Sequence, residues 1–202
     1  MSFLLLGFFT GLSLILAIGA QNIFVIEQGL KKQFVFIVCL ICAISDFLLI
    51  FLGIFLFQYF DSFFTPLIEL IFNILLLLFL LNFIWGKIIE NKKEVQIDAS
   101  NIKTSLFQTI YRTLGFTYLN PHVYSDTVFF LGNFSKNFLV SQKYLFGIGA
   151  SISSLIFFFA LGYLSKYLSN YLKNDKIWKI INLIIILFMS CLAFYVLINI
   201  LK

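Results

Sequence analysis

Six apolar runs, separated by polar segments of unequal length, set the pattern of this chain: residues 3–26, 34–57, 67–85, 113–131, 145–164 and 177–200. A helix needs roughly 20 mostly apolar residues to cross a bilayer. Each run meets that length, and the predicted fold is an all-α integral membrane protein of six transmembrane helices. Residues 87–103, with Lys87, Glu90, Lys92, Lys93, Glu94 and Asp98, form the only polar linker of any length. It divides a single domain, 1–202, into repeat one (1–86) and repeat two (104–202), each with three helices. Three is odd, so the second half enters the membrane from the opposite face. That is the arithmetic of a 3+3 inverted-topology repeat, whose site lies between the halves at broken helices.

Two segments interrupt the apolar pattern at membrane depth. The first in weight is Tyr118-Leu119-Asn120-Pro121-His122-Val123-Tyr124-Ser125-Asp126. Pro121 removes a backbone donor and clashes with the carbonyl of Thr117, while Asn120 is pushed away from helical geometry. The helix should bend or open there, which hydrocarbon tolerates only where the opening is buried in protein or lines a wet cavity. The other is Gly19-Ala20-Gln21-Asn22, whose two amides need partners inside the bundle. Gly7, Gly11 and Gly19 read equally as close helix packing or, at Gly19, as an opening of the backbone. Residues 27–32 read as a short polar turn. Thr65 and Pro66 suit an N-cap and first helical position, with Glu69 in the first turn. Gly147, Gly149, Ser151 and Ser153 make a small-residue packing face, and Arg112 is expected to snorkel to the membrane interface.

The composition agrees with a membrane protein. With 61% hydrophobic and 11% charged residues and a mean hydropathy of +1.03, there is too little polar surface to wrap a water-soluble core. Loops one, three and five carry ten lysines, whereas the termini and loops two and four carry three, Lys136, Lys143 and Lys202. The richer loops belong in the cytoplasm, so both termini are expected outside it. The net charge of +5 comes from these loops and leaves no nucleic-acid footprint. Ala17-Ile18-Gly19 faintly resembles a signal-peptidase site, but no lysine or arginine precedes it, and retention as the first helix is expected.

Candidate chemistry then concentrates on a few polar groups. An ionisable side chain within a span costs a few kcal/mol to insert at least, so Asp46 and Asp126 are functional candidates, against a structural hydrogen-bonding role. Cys39, Cys42 and Asp46 share one helical face. His122, the only histidine, reads as a proton relay or as a ring satisfied by a neighbouring carbonyl. No cofactor, metal or enzymatic motif is expected.

Ile18-Gly19-Ala20-Gln21-Asn22-Ile23-Phe24-Val25-Ile26-Glu27-Gln28-Gly29-Leu30, Ile44-Ser45-Asp46 and Leu119-Asn120-Pro121-His122-Val123-Tyr124-Ser125-Asp126-Thr127 resemble, in order, motifs of the LysE family of bacterial amino-acid exporters, its lysine/arginine branch above all. The family's usual Gly-Pro-Gln-Asn stands here as Gly19-Ala20-Gln21-Asn22. The resemblance implies efflux of arginine and/or lysine through the bacterial inner membrane, driven by the proton-motive force. On that reading Gln21, Asn22, Asp46, Asn120, Pro121, His122, Tyr124 and Asp126 bind and pass the substrate, and Asp46 and Asp126 carry protons. Amides and helix ends suit the carboxylate of such a substrate, and buried carboxylates suit its cationic groups. The partners are then the amino acid, protons and the lipid bilayer, with a homo-oligomer left open. Three other readings compete: a thiol oxidoreductase using Cys39 and Cys42, a metal-ion exporter using Cys39, Cys42, Asp46, Asp126 and His122, and a structural membrane subunit.

Overall fold

Peptide groups that cannot reach water must bond within their own segment, and in a chain this apolar the economical solution is the helix. A computed structural model describes residues 2–16, 19–63, 65–92, 105–169 and 175–201, and among them every regular element is helical. In order these are α1 (Ser2–Ile15), α2 (Ala20–Lys31), α3 (Val35–Phe63), α4 (Pro66–Lys92), α5 (Leu106–Tyr118), α6 (Pro121–Tyr124), a π-helical stretch (Ser125–Phe130), α7 (Leu131–Ser135), α8 (Val140–Leu168) and α9 (Asp175–Leu201). Four of them, α3, α4, α8 and α9, contain segments long and apolar enough to cross a membrane, and α1 with α2 counts as a fifth if the bent pair is one crossing.

Three expectations change on contact with the structure. The run 3–26 is not one helix: α1 and α2 meet at 83°, with Gly19 extended at φ −115° and ψ −176° between them. The run 113–131 is likewise assembled from pieces, α5, α6, the π-helical stretch and the start of α7. The polar stretch 27–32 is the last turn of α2 rather than a surface turn. Lys32 closes that turn in the left-handed conformation, φ 56°, with its N–H on the Gln28 and Gly29 carbonyls. One boundary holds and another moves. Thr65 does cap α4, its Oγ1 accepting the Ile68 N–H at 3.4 Å. At the far end α4 runs on to Lys92, because Ile88 and Ile89 continue the helix and no proline or further glycine stops it. The rest of the expected linker, 93–103, and the side chain of Glu69 lie outside the described residues.

Close backbone approach locks the bundle. A Cβ on Gly7 would collide with the Phe146 carbonyl and one on Gly149 with the Leu4 carbonyl, so α1 lies directly against α8. Small residues permit this kind of contact where lipid gives no hydrophobic push between helices. The same device joins α3 to the second broken helix: a Cβ on Gly53 would meet Val128, and one on Gly132 would meet the Gly53 backbone. Gly53 stands two turns from Asp46, and Val128 two residues from Asp126, so this seam fixes the spacing of the two acids.

Phe24, Phe79, Phe83 and Phe116 form an aromatic wall between α2, α4 and α5. Ring centroids are 4.8 Å apart for Phe79–Phe116, 5.0 Å for Phe83–Phe116, 5.1 Å for Phe24–Phe116 and 6.3 Å for Phe24–Phe83. All four are buried. The Arg112 Cζ lies 5.5 Å over the Phe83 ring, a cation–π contact.

Candidate functional site

Both breaks open onto one cavity of about 430 Å³, within the range of roughly 300–1,000 Å³ usual for small-molecule sites. Each helix contributes what its local sequence allows. Gly19 has no side chain to cap α2, so the first turn of α2, Ala20, Gln21 and Asn22, faces the cavity without a side-chain cap. Asn22 Nδ2 donates to the Ile15 carbonyl at 3.1 Å and so ties the end of α1 to the start of α2. Gln21 is 7% exposed, with its side chain against that of the buried Cys42.

The second break is finished by its own residues. The helix stops at Leu119, whose N–H still reaches the Gly115 carbonyl, and restarts at Pro121. Asn120 then behaves as an N-cap: its Oδ1 accepts the His122 N–H at 3.1 Å, and its carbonyl accepts the Val123 N–H at 3.1 Å. Pro121 thus takes the first helical position, where its missing N–H costs nothing. Beyond it the ladder widens, Leu131 donating to the Asp126 carbonyl five residues back. π-turns inside helices are frequent at functional sites, and this one carries Asp126 on its wall.

Asp46 is 4% exposed, and its Oδ2 accepts the Ser154 hydroxyl from α8 at 2.7 Å. Asp126 is half-buried across the cavity. His122 stacks on the Tyr195 ring, centroids 5.8 Å apart, at a rim where both side chains are exposed. Of the residues singled out in the sequence, Gln21, Asn22, Asp46, Asn120, His122 and Asp126 line this one space. Tyr124 is not among the lining residues; its hydroxyl donates to the Tyr118 carbonyl at 2.9 Å, bracing the second break from outside. The backbone of Pro121 opens α6, and its side chain lies outside the described residues. Among the described residues the lining holds two carboxylates and no lysine or arginine, which suits positive charge.

Four contributors escaped the sequence reading. Ser154 stands 108 residues from the acid it serves, and nothing local marks it. Thr127 and Tyr195 line the cavity, on the π-helical stretch and on α9. Glu27, in the stretch expected to be a surface turn, is 0% exposed and pairs with Lys31 Nζ at 3.0 Å. A glutamate and a lysine four apart were the available signal.

Cys39 and Cys42 are poorly placed for redox use. Cys39 and Cys42 are fully buried, and the Cys39 thiol donates to the Phe158 carbonyl at 3.1 Å, whereas reactive thiols need access. Among the described residues, no three His, Cys, Asp or Glu side chains come together in a way that could hold a metal ion.

Comparison with known proteins decides the kinship. The family model described as "LysE type translocator" matches residues 12–200. The chain belongs to this family. Three LysE-type relatives carry the name Arginine exporter protein ArgO. That of Pectobacterium carotovorum subsp. carotovorum is 35% identical over 181 residues, covering 87% of each chain. That of Serratia proteamaculans is 33% identical over 181 residues, 89% of this chain and 88% of the relative. That of Salmonella paratyphi A is 32% identical over 195 residues, 93% and 90%. No solved structure matches the chain. As a LysE-type translocator with several apolar membrane-length helices, it is a multi-pass membrane protein.

Proposed function

We propose that this protein exports arginine, lysine or both across the bacterial inner membrane in exchange for protons. The observation that carries the reading is one cavity at two helix breaks, whose lining among the described residues includes the carboxylates Asp46 and Asp126 and no lysine or arginine. The names of the relatives point the same way.

Moving a cation outward against an inside-negative potential costs about 2.3 kcal/mol per charge per 100 mV, so export needs an inward-moving charge to offset it. Protons supply one if they compete with the cargo for the same carboxylates. With Asp46 and Asp126 ionised, the guanidinium or ammonium group binds. Protonation from outside displaces it, and release of those protons to the cytoplasm resets the site. Ser154 orients Asp46 throughout, and His122 at the rim passes protons. We place six crossings in a 3+3 inverted arrangement, α1–α2 answering α5–α6–α7, with both termini outside the cytoplasm.

The test is efflux of preloaded labelled arginine and lysine from cells, with and without an uncoupler. Export that collapses with the uncoupler is expected. Export indifferent to it removes the proton from the scheme, and no efflux of either amino acid ends the reading.

A further inference from the structure

Two acids line the cavity, and they are not held alike. We propose that Ser154 is a positioning residue whose hydroxyl keeps the dry Asp46 carboxylate in its charged form, and so sets the pH above which the cavity takes up a cation. This rests on the transport reading above and adds what regulates its cation site.

A carboxylate taken out of water prefers to be neutral unless it is paired or hydrogen-bonded. Asp46 and Ser154 are both buried, and the Ser154 hydroxyl donates to Asp46 Oδ2 at 2.7 Å. That length falls in the range of a hydroxyl on an ionised acceptor, roughly 2.5–2.7 Å. A donor to the charged form favours that form, and bonds of this kind are stronger than those between neutral groups.

Other serines of α8 use their hydroxyls differently. Ser151 donates to the Gly147 carbonyl at 2.8 Å, Ser153 to that of Ala150 at 2.7 Å and Ser165 to that of Leu161 at 2.7 Å. Bonding back along the helix is the usual habit of a serine in its interior. For Ser154 the carbonyl four residues back is that of Ala150, which already receives the Ser153 hydroxyl, and Ser154 reaches across to α3 instead. Asp126 is held in another way. It is half-buried, and among the described residues no hydrogen-bond donor reaches its carboxylate.

Among the described residues, the ionisable groups that face Asp46 are Cys42, one turn back on α3, and Asp126 across the cavity, with His122 beyond Asp126 at the rim. From α2, α5, α7 and α8 none does. All three groups remain in a Ser154 variant, so a change of pH profile there reads the lost hydroxyl.

The experiment is exchange of labelled for unlabelled arginine by the full chain in proteoliposomes, over a series of pH values matched on the two sides so that no gradient is needed. Wild-type exchange should fall on the acid side as the carboxylates are neutralised. Ser154→Ala should move the midpoint of that fall to higher pH by about one unit, an approximately tenfold change in proton affinity. It should regain the wild-type rate at high pH, which also certifies the fold. Ser154→Thr, which keeps the hydroxyl, should follow the wild type, and Ser154→Val, of the same shape without it, should follow Ser154→Ala. Ser153→Ala, whose hydroxyl serves its own helix, should leave the midpoint in place. An unmoved Ser154→Ala midpoint overturns the proposal, as does a rate lowered equally at every pH, the mark of a merely structural role. Should Ser154→Ala fail to assemble, equal midpoints for the threonine and valine variants overturn it in the same way. Each of these results sinks this inference alone, whereas a wild type that exchanges neither arginine nor lysine at any pH sinks the transport reading with it.

Discussion

The two broken helices meet at one cavity but are finished in opposite ways. At the second break Asn120 caps α6, Pro121 presents no N–H, and Tyr124 bonds back across the gap to Tyr118. At the first, Gly19 offers no side chain, Ala20 keeps its N–H, and the tie across the gap is Asn22 on Ile15. One break is closed by its own chain. The other has no side-chain cap, and its first residues line the cavity. An opening whose hydrogen bonds are complete works as scaffold and positions the charges that follow it, here His122 and Asp126.

The contrast can be broken most forcefully at the acids each break serves. Asp46→Asn and Asp126→Asn, at wild-type abundance in the membrane, should each abolish export of labelled arginine almost completely. Transport at the wild-type rate from either variant would mean that the breaks frame no charge-carrying site. Next comes the tie at the first break. Asn22→Leu leaves the Ile15 carbonyl without that donor, and a loss of roughly 1–3 kcal/mol should cut transport by about tenfold or more. At the second break, Asn120→Ala removes a cap worth about 1 kcal/mol. Its signature should be a thermal midpoint in detergent lowered by about 2–4 °C, with transport reduced less than in Asn22→Leu. The reverse order would mean that the second break, not the first, is the ligand side. Smallest of all should be Ala20→Pro. Ala20 is the first residue of α2, where proline's fixed φ suits the helix and its missing N–H is an orphan anyway. The variant should transport normally and gain about 0.4–1 kcal/mol of stability. Lost transport would show that the Ala20 N–H itself is needed.

How far the sequence carried these distinctions depended on whether each signal was local. Pro121 announced the second break through backbone chemistry confined to four residues, and Asp46 and Asp126 announced themselves by being acids inside apolar runs. The first break was harder to read because Ala20 stands where the family has proline. What opens that helix is the extended Gly19 and a side-chain bond from Asn22 to Ile15, which a pattern of apolar positions does not encode. The π-helical stretch was illegible for a related reason: no residue type in Ser125–Phe130 demands a wider turn, and its packing against Gly53 is a tertiary matter. Ser154 on Asp46 joins parts of the chain that only folding brings together. Glu27 was misplaced because a charge near a helix end usually reaches water, whereas here Lys31 folds over it.

The aromatic wall has a consequence for bioenergetics. On α2 and α4, Phe24 and Phe83 lie just past the last lining residues, Asn22 and Leu80, on the side of Lys31 and Lys92. Four phenyl rings in edge and tilted contact, roofed by a guanidinium, present nothing along which hydrogen ions could hop. If the proton exchange proposed above drives this carrier, it must not short-circuit the gradient between turnovers, and an oily plug of this kind would supply the insulation.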